Sequence, residues 1–425
     1  MNNLNFSYRT SFFWMLFVVF FSTGFVFFKV PFEFYFHYLV IVLLAPFFLI
    51  KIGFPKFLLK IFIIPFLVGL IHVALGNNSF FTFFKIFGGL FAVTSFFYFV
   101  LAHVKFNIIE IFTIYCKGTW ILCVIAIIQI ISFYFDFKIG YNYSWFLNKW
   151  GFVNGGILGF RVNSILPEPT YLATVLAPSV FLSFKNLFSK SNYIFNKVQS
   201  VIIISISILT TSSIGYFGIL LSILLVSKTI RLRYIVFASI ISFLVFNLAY
   251  NYVEDFKQRA DAAKGLWVDQ DFDISNTNNS SFVLFNNLHV AKENLSMFPI
   301  FGTGLGSHET AFKKFTLTKT LIQYDFEFNV KDGNSLFVRL CTETGLIGLF
   351  LIIAFIFMGF IPKSNYEELN INVIISQSLF VLFILVLIRQ GNYMLNGLPM
   401  LFLIYYYNYI DYKSFINQHS SVKNP

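Results

Sequence analysis

The chain has 425 residues, of which 57% are hydrophobic and only 12% charged, with 62 Phe and a mean hydropathy of +0.76. That balance excludes a soluble globular domain and a disordered chain, and it defines a polytopic membrane protein. The net charge of +11 would suit nucleic acid in a soluble protein. Here the basic residues sit in short loops abutting apolar spans, so they orient the chain and meet anionic membrane lipid, and no nucleic-acid partner is expected.

Apolar runs predict an all-α helix bundle of about twelve transmembrane spans: 12–28, 34–50, 57–75, 83–102, 119–135, 170–184, 192–209, 213–230, 234–252, 336–361, 371–388 and 394–410. The first has no small-residue cleavage site behind it and reads as a retained helix. Between Asn192 and Ile230 a hairpin turning at Thr210-Thr211-Ser212-Ser213 is preferred to one helix. A single helix from Val198 to Val226 would be ~43 Å long, beyond a ~30 Å hydrocarbon core. Lys60, Lys85 and Lys197 are expected to snorkel from span ends.

With the N-terminus placed in the cytoplasm and charges within spans assigned to the nearer end, cytoplasmic segments hold 15 Lys/Arg against 4 Asp/Glu, and the opposite face holds 15 against 15. With the long loop 253–334 left out, which the rule does not cover, the basic count is 15 inside against 7 outside, which satisfies the positive-inside rule with both termini in the cytoplasm. The larger polar segments, 136–169 and 253–335, then face outward with the turn from Arg389 to Tyr393. Within 253–335, Leu284, Leu288, Ala291, Leu295 and Phe298 form a helical stripe, with Asn286, Asn287, Glu293 and Asn294 away from it. That pattern predicts an amphipathic helix on the outer surface of the bundle or bilayer. Tyr141, Tyr143, Trp145, Trp150 and Trp267 are candidates for stacking on sugars or for an interfacial belt. Cys116, Cys123 and Cys341 have no metal-ligand or redox spacing.

Two constellations carry chemistry. The first is Arg161-Val-Asn-Ser164-Ile-Leu-Pro-Glu168-Pro-Thr-Tyr171-Leu-Ala, which ends one polar segment and enters the sixth span. Charged groups at a membrane boundary need solvent, a partner or a ligand. Pro167 and Pro169 bracket Glu168, and Pro169 suits the first turn of a helix, where its missing N–H costs nothing. The plain alternative is that Glu168 is a helix cap and Arg161 its surface partner. The second constellation runs from Phe298-Pro-Ile-Phe-Gly302-Thr-Gly304-Leu-Gly306-Ser307-His308 to Asp332-Gly333-Asn334-Ser335, Arg339, Glu343 and Gly345-Leu-Ile-Gly348. Its alternate glycines would let backbone N–H groups approach an anion such as phosphate, whereas Gly345 and Gly348 would permit close helix packing. A dinucleotide fingerprint is excluded because no strand precedes it. His308 taken alone is expected at the surface.

Together these residues resemble the O-antigen polymerase and ligase superfamily of lipid-linked polysaccharide assembly. The run at 161–173 is similar to the polymerase pattern, and Pro299-Ile-Phe-Gly-Thr-Gly-Leu-Gly306 to the turn before the last large extracytoplasmic helix. Ligases of the superfamily carry a His, a small polar residue, nine residues and G-x-x-G. Here Asn334-Ser335 keeps that spacing to Gly345-Leu-Ile-Gly348, but Asn replaces the His, which favours a polymerase.

The resemblance implies a metal-independent, cofactor-free inverting glycosyltransferase of the bacterial cytoplasmic (inner) membrane. Its substrate would be undecaprenyl-pyrophosphate-linked oligosaccharide at the outer leaflet, and its partners a flippase and a chain-length regulator of O-antigen, lipopolysaccharide or capsule synthesis. Such chemistry needs a cationic cradle for the pyrophosphate, for which guanidinium is suited. Arg161 and Arg339 are the first candidates, with Arg259 and Arg389 behind them. It also needs a base, for which Glu168 leads and His308 and Glu343 are alternatives. Ser164, Tyr171 and Asn334 complete the expected substrate contacts. A ligase, a flippase or transporter, and a noncatalytic assembly scaffold are the rival readings.

Overall fold

A computed structural model describes residues 4–30, 32–53, 55–189, 192–227, 247, 250–251, 254–269, 279–318, 328–364 and 366–421. The described chain is mostly helical. Its elements are α1 (Leu4–Phe21), a hairpin of β1 (Val26–Phe28) and β2 (Phe34–Tyr35), α2 (Phe36–Ile52), α3 (Lys56–Ala74), α4 (Phe80–His103), α5 (Ile108–Tyr134) and the short α6 (Lys138–Tyr141). There follow α7 (Pro169–Phe188), α8 (Lys197–Leu209), α9 (Ser213–Val226), α10 (Glu254–Trp267), α11 (Asn279–Met297), α12 (His308–Phe315), α13 (Leu336–Met358), α14 (Asn370–Arg389) and α15 (Leu398–Ser421).

Among the described residues six helices are long and apolar enough to cross a membrane: α3, α4, α5, α7, α13, and α14 counted from Glu367. Four shorter apolar helices accompany them, at Thr10–Phe21, Phe36–Ile52, Lys197–Leu209 and Ser213–Val226. Most of the expected span 234–252 lies outside the described residues. The expected hairpin at Thr210–Ser212 is present as a break between α8 and α9, with Thr211 at φ 45°.

Two boundaries differ from expectation for local reasons. The first helix ends at Phe21, and Val26–Phe28, expected within a span, instead pairs antiparallel with Phe34–Tyr35. The Ser22-Thr23-Gly24 run supplies the stop. Helix α5 begins 11 residues before the expected 119, because Asn107 caps it by accepting a hydrogen bond from the Glu110 N–H. Glu110 thus belongs to a first helical turn, where a carboxylate is favoured.

Helices α7 and α14 form the centre. In each, 72% of the apolar window is buried, against 11% in α3, so α3 is the helix that turns most of its surface outward. Helix α7 packs on α8, α9 and α14. Small polar side chains join the helices: Thr119 and Ser179 hydroxyls meet at 2.6 Å between α5 and α7, and Asn372 donates to Asn408 at 3.1 Å between α14 and α15. In a lipid-facing bundle such pairs hold helices where apolar surface alone gives no preference for protein over lipid.

Successive helices alternate between two ends. At one end the hairpin, the loop 135–168, residues 328–335 and the turn 390–397 meet, as Asn148 bonding to both backbone atoms of Val26, Thr23 bonding to Asn396 and Gly391 lying against Asp332 show. At the other end short turns such as 104–107 and 359–369 close the bundle.

The segment 254–330 contains a second small core of Leu266, Phe282, Val283, Val290, Ala311, Phe312 and Phe328. Helix α11 is clamped between this core and the main one, to which it gives Ala291, Leu284 and Leu288. This corrects the expected surface-lying helix: Asn286, Asn287 and Asn294 on its supposed outer face are all buried. Each is satisfied. Asn286 bonds Thr316 and Leu317, Asn287 donates to the Val283 and Phe328 carbonyls, and Asn294 donates to Thr303 and to the Thr342 carbonyl. Buried amides are tolerated when paired in this way.

Candidate active site

Helix α13 is broken inside, at Gly345, whose φ of 62° and ψ of −162° are open to glycine. The break leaves backbone groups without helical partners, and the loop 299–304 supplies them. Thr303 and Gly304 N–H groups donate to the Thr342 and Glu343 carbonyls (3.1 and 2.8 Å), while Leu346 and Ile347 N–H groups donate to the Pro299 and Ile300 carbonyls (2.8 and 3.1 Å). The approach needs glycine on both sides: a Cβ on Gly302 would lie 2.6 Å from the Gly345 nitrogen, and one on Gly345 2.5 Å from the Gly302 nitrogen. Gly304 and Gly306 press likewise on Gly69 and on the Thr82 carbonyl. The glycine-rich turn is therefore a splice between helices, and its Thr303 and Gly304 N–H groups are spent on carbonyls rather than held for an anion.

The first half of α13, set apart by this break, carries Arg339 and Glu343 as an i,i+4 pair, 2.8 Å between Arg339 Nε and Glu343 Oε1, with both side chains almost wholly buried. Arg339 also donates through Nη1 to the Gly391 carbonyl (2.9 Å) and stacks on Tyr393, 4.1 Å from the ring centre. The Tyr393 hydroxyl donates to the second Glu343 oxygen at 2.9 Å. Arg339 Nη2 is buried without a protein partner. A Cβ on Gly391 would fall 1.7 Å from the Asp332 carbonyl oxygen, so the turn 390–393 lies flat against the residues preceding α13.

Around this turn the charged groups of distant segments gather. Arg389, half-buried at the end of α14, lies in the fields of Glu168 and Asp332. Tyr171 lies in the fields of Asp332, Glu168 and Glu33, and packs on Val26, Tyr35 and Leu395. Glu168 is exposed and occupies the N-cap of α7, with Pro169 at the first helical position as expected, but its carboxylate makes no capping bond. Asn334, left-handed at φ 58°, donates its N–H to Asp332 Oδ1 at 3.1 Å.

Two lysines join this basin that sequence reasoning did not place there. Lys149 contacts Glu33, donates to the Tyr35 hydroxyl at 2.7 Å and stands 5.0 Å over its ring. Burial pushes the Glu33 carboxyl up, but hydrogen bonds from Lys149 and Tyr35 outweigh it and hold the group below its ordinary value. Lys85, expected only to snorkel, stands in the fields of Glu309, Lys331, Arg339 and Glu33. For Lys85 the signal was present in the sequence as a Lys within the first two turns of a span, near the helix end that favours an acid.

Other expected residues are placed elsewhere. Arg161 Nε donates to the Thr210 carbonyl at 3.2 Å, tying its loop to the α8–α9 turn. Ser164, fully buried at φ 53°, donates its hydroxyl to the Leu122 carbonyl and its N–H to Gln129. Gln129 and Asn163, both buried, fold the run 161–168 into a knot: Gln129 donates to Asn163 at 3.1 Å, and Asn163 donates to the Gly151, Leu166 and Pro167 carbonyls. The motif's polar residues thus serve largely to present Glu168 at the head of α7. Trp150 is buried with its indole N–H on the Ser164 carbonyl, so it belongs to this packing, whereas Trp145 is exposed. The Arg259 side chain lies outside the described residues.

His308 is fully buried, correcting the expected surface position. Its Nε2 lies 2.9 Å from Asn287 Oδ1 and its Nδ1 3.0 Å from the Thr342 hydroxyl. Because the Asn287 amide nitrogen is spent on carbonyls, Oδ1 must accept from Nε2–H, which leaves Nδ1 an acceptor facing the Thr342 hydroxyl, whose hydrogen is shared with the Val338 carbonyl at 3.2 Å. Burial, reinforced by Arg339, pushes the imidazole down from 6.5 to about 3. The unfolded chain takes this proton below about 6.5 and the folded chain only below about 3, so stability falls as pH drops through that window. His308→Gln is expected to flatten the acid limb of a plot of unfolding midpoint against pH, and an unchanged slope would clear His308 of that role.

No family profile matches the chain, and no curated protein matches its sequence.

Proposed function

We propose that this is a membrane-embedded transferase acting on a lipid-linked anionic substrate at the loop-rich end of its bundle. More particularly, we propose a polysaccharide polymerase that transfers a growing glycan from undecaprenyl pyrophosphate onto a lipid-linked repeat unit. The reaction would take place at the outer face of the bacterial cytoplasmic membrane, an orientation that the basic excess of the opposite end supports.

The observation that carries the reading is the convergence of Glu168, Tyr171, Asp332, Arg389 and the Arg339–Glu343 pair from three separate stretches of chain onto one turn. In the proposed reaction the acceptor hydroxyl oxygen attacks the anomeric carbon. The bond from that carbon to the pyrophosphate oxygen breaks, and the electron pair leaves with the pyrophosphate. Arg389, with Lys85 and Lys149 nearby, is suited to the charge that develops there. Glu168, solvent-facing at the head of α7, takes the acceptor's proton. Arg339 acts through others: it fixes Gly391 and Tyr393, and so the turn that follows Arg389.

The test is complementation of a deletion strain, with the surface glycan separated by size. Glu168→Gln and Arg389→Ala are expected to lower chain extension by at least about 100-fold, within the range of general acid–base and electrostatic contributions, leaving single repeat units attached. Loss of all surface glycan with lipid-linked polymer accumulating would instead indicate a ligase. A normal ladder from both variants would overturn the enzyme reading.

A further inference from the structure

At the end of the bundle opposite the charged basin lies a cavity of about 230 Å³, between the last turn of α7, the last turn of α9 and the first turns of α14. This is far more than the ~10–15 Å³ that admits one water. Its lining combines the polar and cationic Lys185, Lys363, Ser364 and Tyr193 with the apolar Leu225 and Val373. Among the described residues no carboxylate lines it: Glu367 and Glu368 are exposed on the turn that precedes α14.

The walls are fixed by buried amides. Asn186 donates to the Tyr193 and Phe195 carbonyls at 2.9 and 3.0 Å and accepts from the Tyr193 N–H at 2.8 Å. Gln377 donates to the Ile361 and Pro362 carbonyls at 3.1 and 2.8 Å, and Ser376 bridges Gly359 and Ile361. Residues 193–195 and 359–362 beside the cavity are therefore pinned in place.

We propose that this cavity binds a phosphate-bearing anion, namely the headgroup of an anionic phospholipid. Lys185 and Lys363 would face the phosphate, and Leu225 and Val373 the start of the acyl region. An ammonium pair with hydroxyl donors suits phosphate, and apolar side chains in the same lining suit a ligand that is itself amphipathic. A role confined to helix termination would account for Lys185 alone, in the last turn of α7, but not for Lys363 on a different loop or for the cavity between them. The site is independent of the chemistry proposed at the other end.

The experiment is native mass spectrometry of the purified full-length protein equilibrated with phosphatidylglycerol or phosphatidylcholine, with and without excess inorganic phosphate. Wild type is expected to retain phosphatidylglycerol selectively. Each lysine contributes about fivefold, so the Lys185→Gln/Lys363→Gln variant should lose roughly 25-fold. Ser364→Trp, which fills the cavity without removing charge, should lose retention equally, while Lys51→Gln/Lys413→Gln, on the same end outside the cavity, should not. Displacement of the lipid by inorganic phosphate would replace the lipid with a soluble phosphate as the natural ligand. Equal retention by the double variant and wild type, or equal loss in the Lys51/Lys413 control, would overturn the site.

Discussion

Replacing Arg339 by Met is expected to cost about 3–5 kcal/mol, the usual penalty for stranding one member of a buried ion pair. Glu343 would keep the Tyr393 hydroxyl, but the charge facing it would be gone, and Gly391 would lose the donor that holds its carbonyl. Both side chains are nearly inaccessible, so water cannot take the missing partner's place. The double variant Arg339→Met/Glu343→Leu is expected to recover most of that stability, because it also removes the stranded carboxylate. It should not recover chain extension, since the turn next to Arg389 would still lack its anchor. Unfolding midpoints of the purified proteins beside glycan ladders separate these outcomes. A double variant as unstable as the single one would show that the pair does more than neutralise itself.

Gly345→Ala is expected to be worse still. The new methyl would sit 2.5 Å from the Gly302 nitrogen and 2.6 Å from the Ile300 carbonyl oxygen, at a φ of 62° that L-residues avoid. Neither contact is with a flexible side chain, so relief requires the loop to withdraw and give up its backbone hydrogen bonds to α13. A loss of roughly 4 kcal/mol or more places the variant among the exceptional single substitutions. Little monodisperse protein should survive detergent extraction. Gly88→Ala, inside α4, is the control, because a Cβ there would meet nothing within 4 Å. If Gly345→Ala elutes like wild type, the splice is not what holds the segment 299–304 in place.

What the sequence disclosed was governed by how local each signal is. Six of the expected apolar spans, Pro169 at the start of α7 and the break at Thr210–Ser212 were legible, because each rests on neighbouring residues. The course of α11 was not. Its Phe282, Val283, Phe285 and Val290 offered a second apolar face, but three asparagines on the same helix spoke for water, and only their distant partners reveal them as buried. The same blindness affected the site. Arg161 and Ser164 stand in the most suggestive motif, yet their bonds run to Thr210 and Leu122, whereas Arg389 and Lys149 drew little notice alone and acquire their setting from other segments. His308 looked like a surface residue because nothing near it in sequence announces Asn287 and Thr342.

The splice at Gly345 bears on biogenesis. A helix entering a bilayer ordinarily satisfies its own backbone, but this one carries carbonyls at Thr342 and Glu343 whose partners are supplied by Thr303 and Gly304. Those partners are synthesised some 40 residues earlier and must already stand at the loop-rich end of the bundle when the helix arrives. The helix can begin insertion alone but cannot finish it alone. Placement of the preceding segment is thereby built into the assembly order of the last three helices, and a chain that failed to place it would display an incompletely bonded helix to the machinery that removes misassembled membrane proteins.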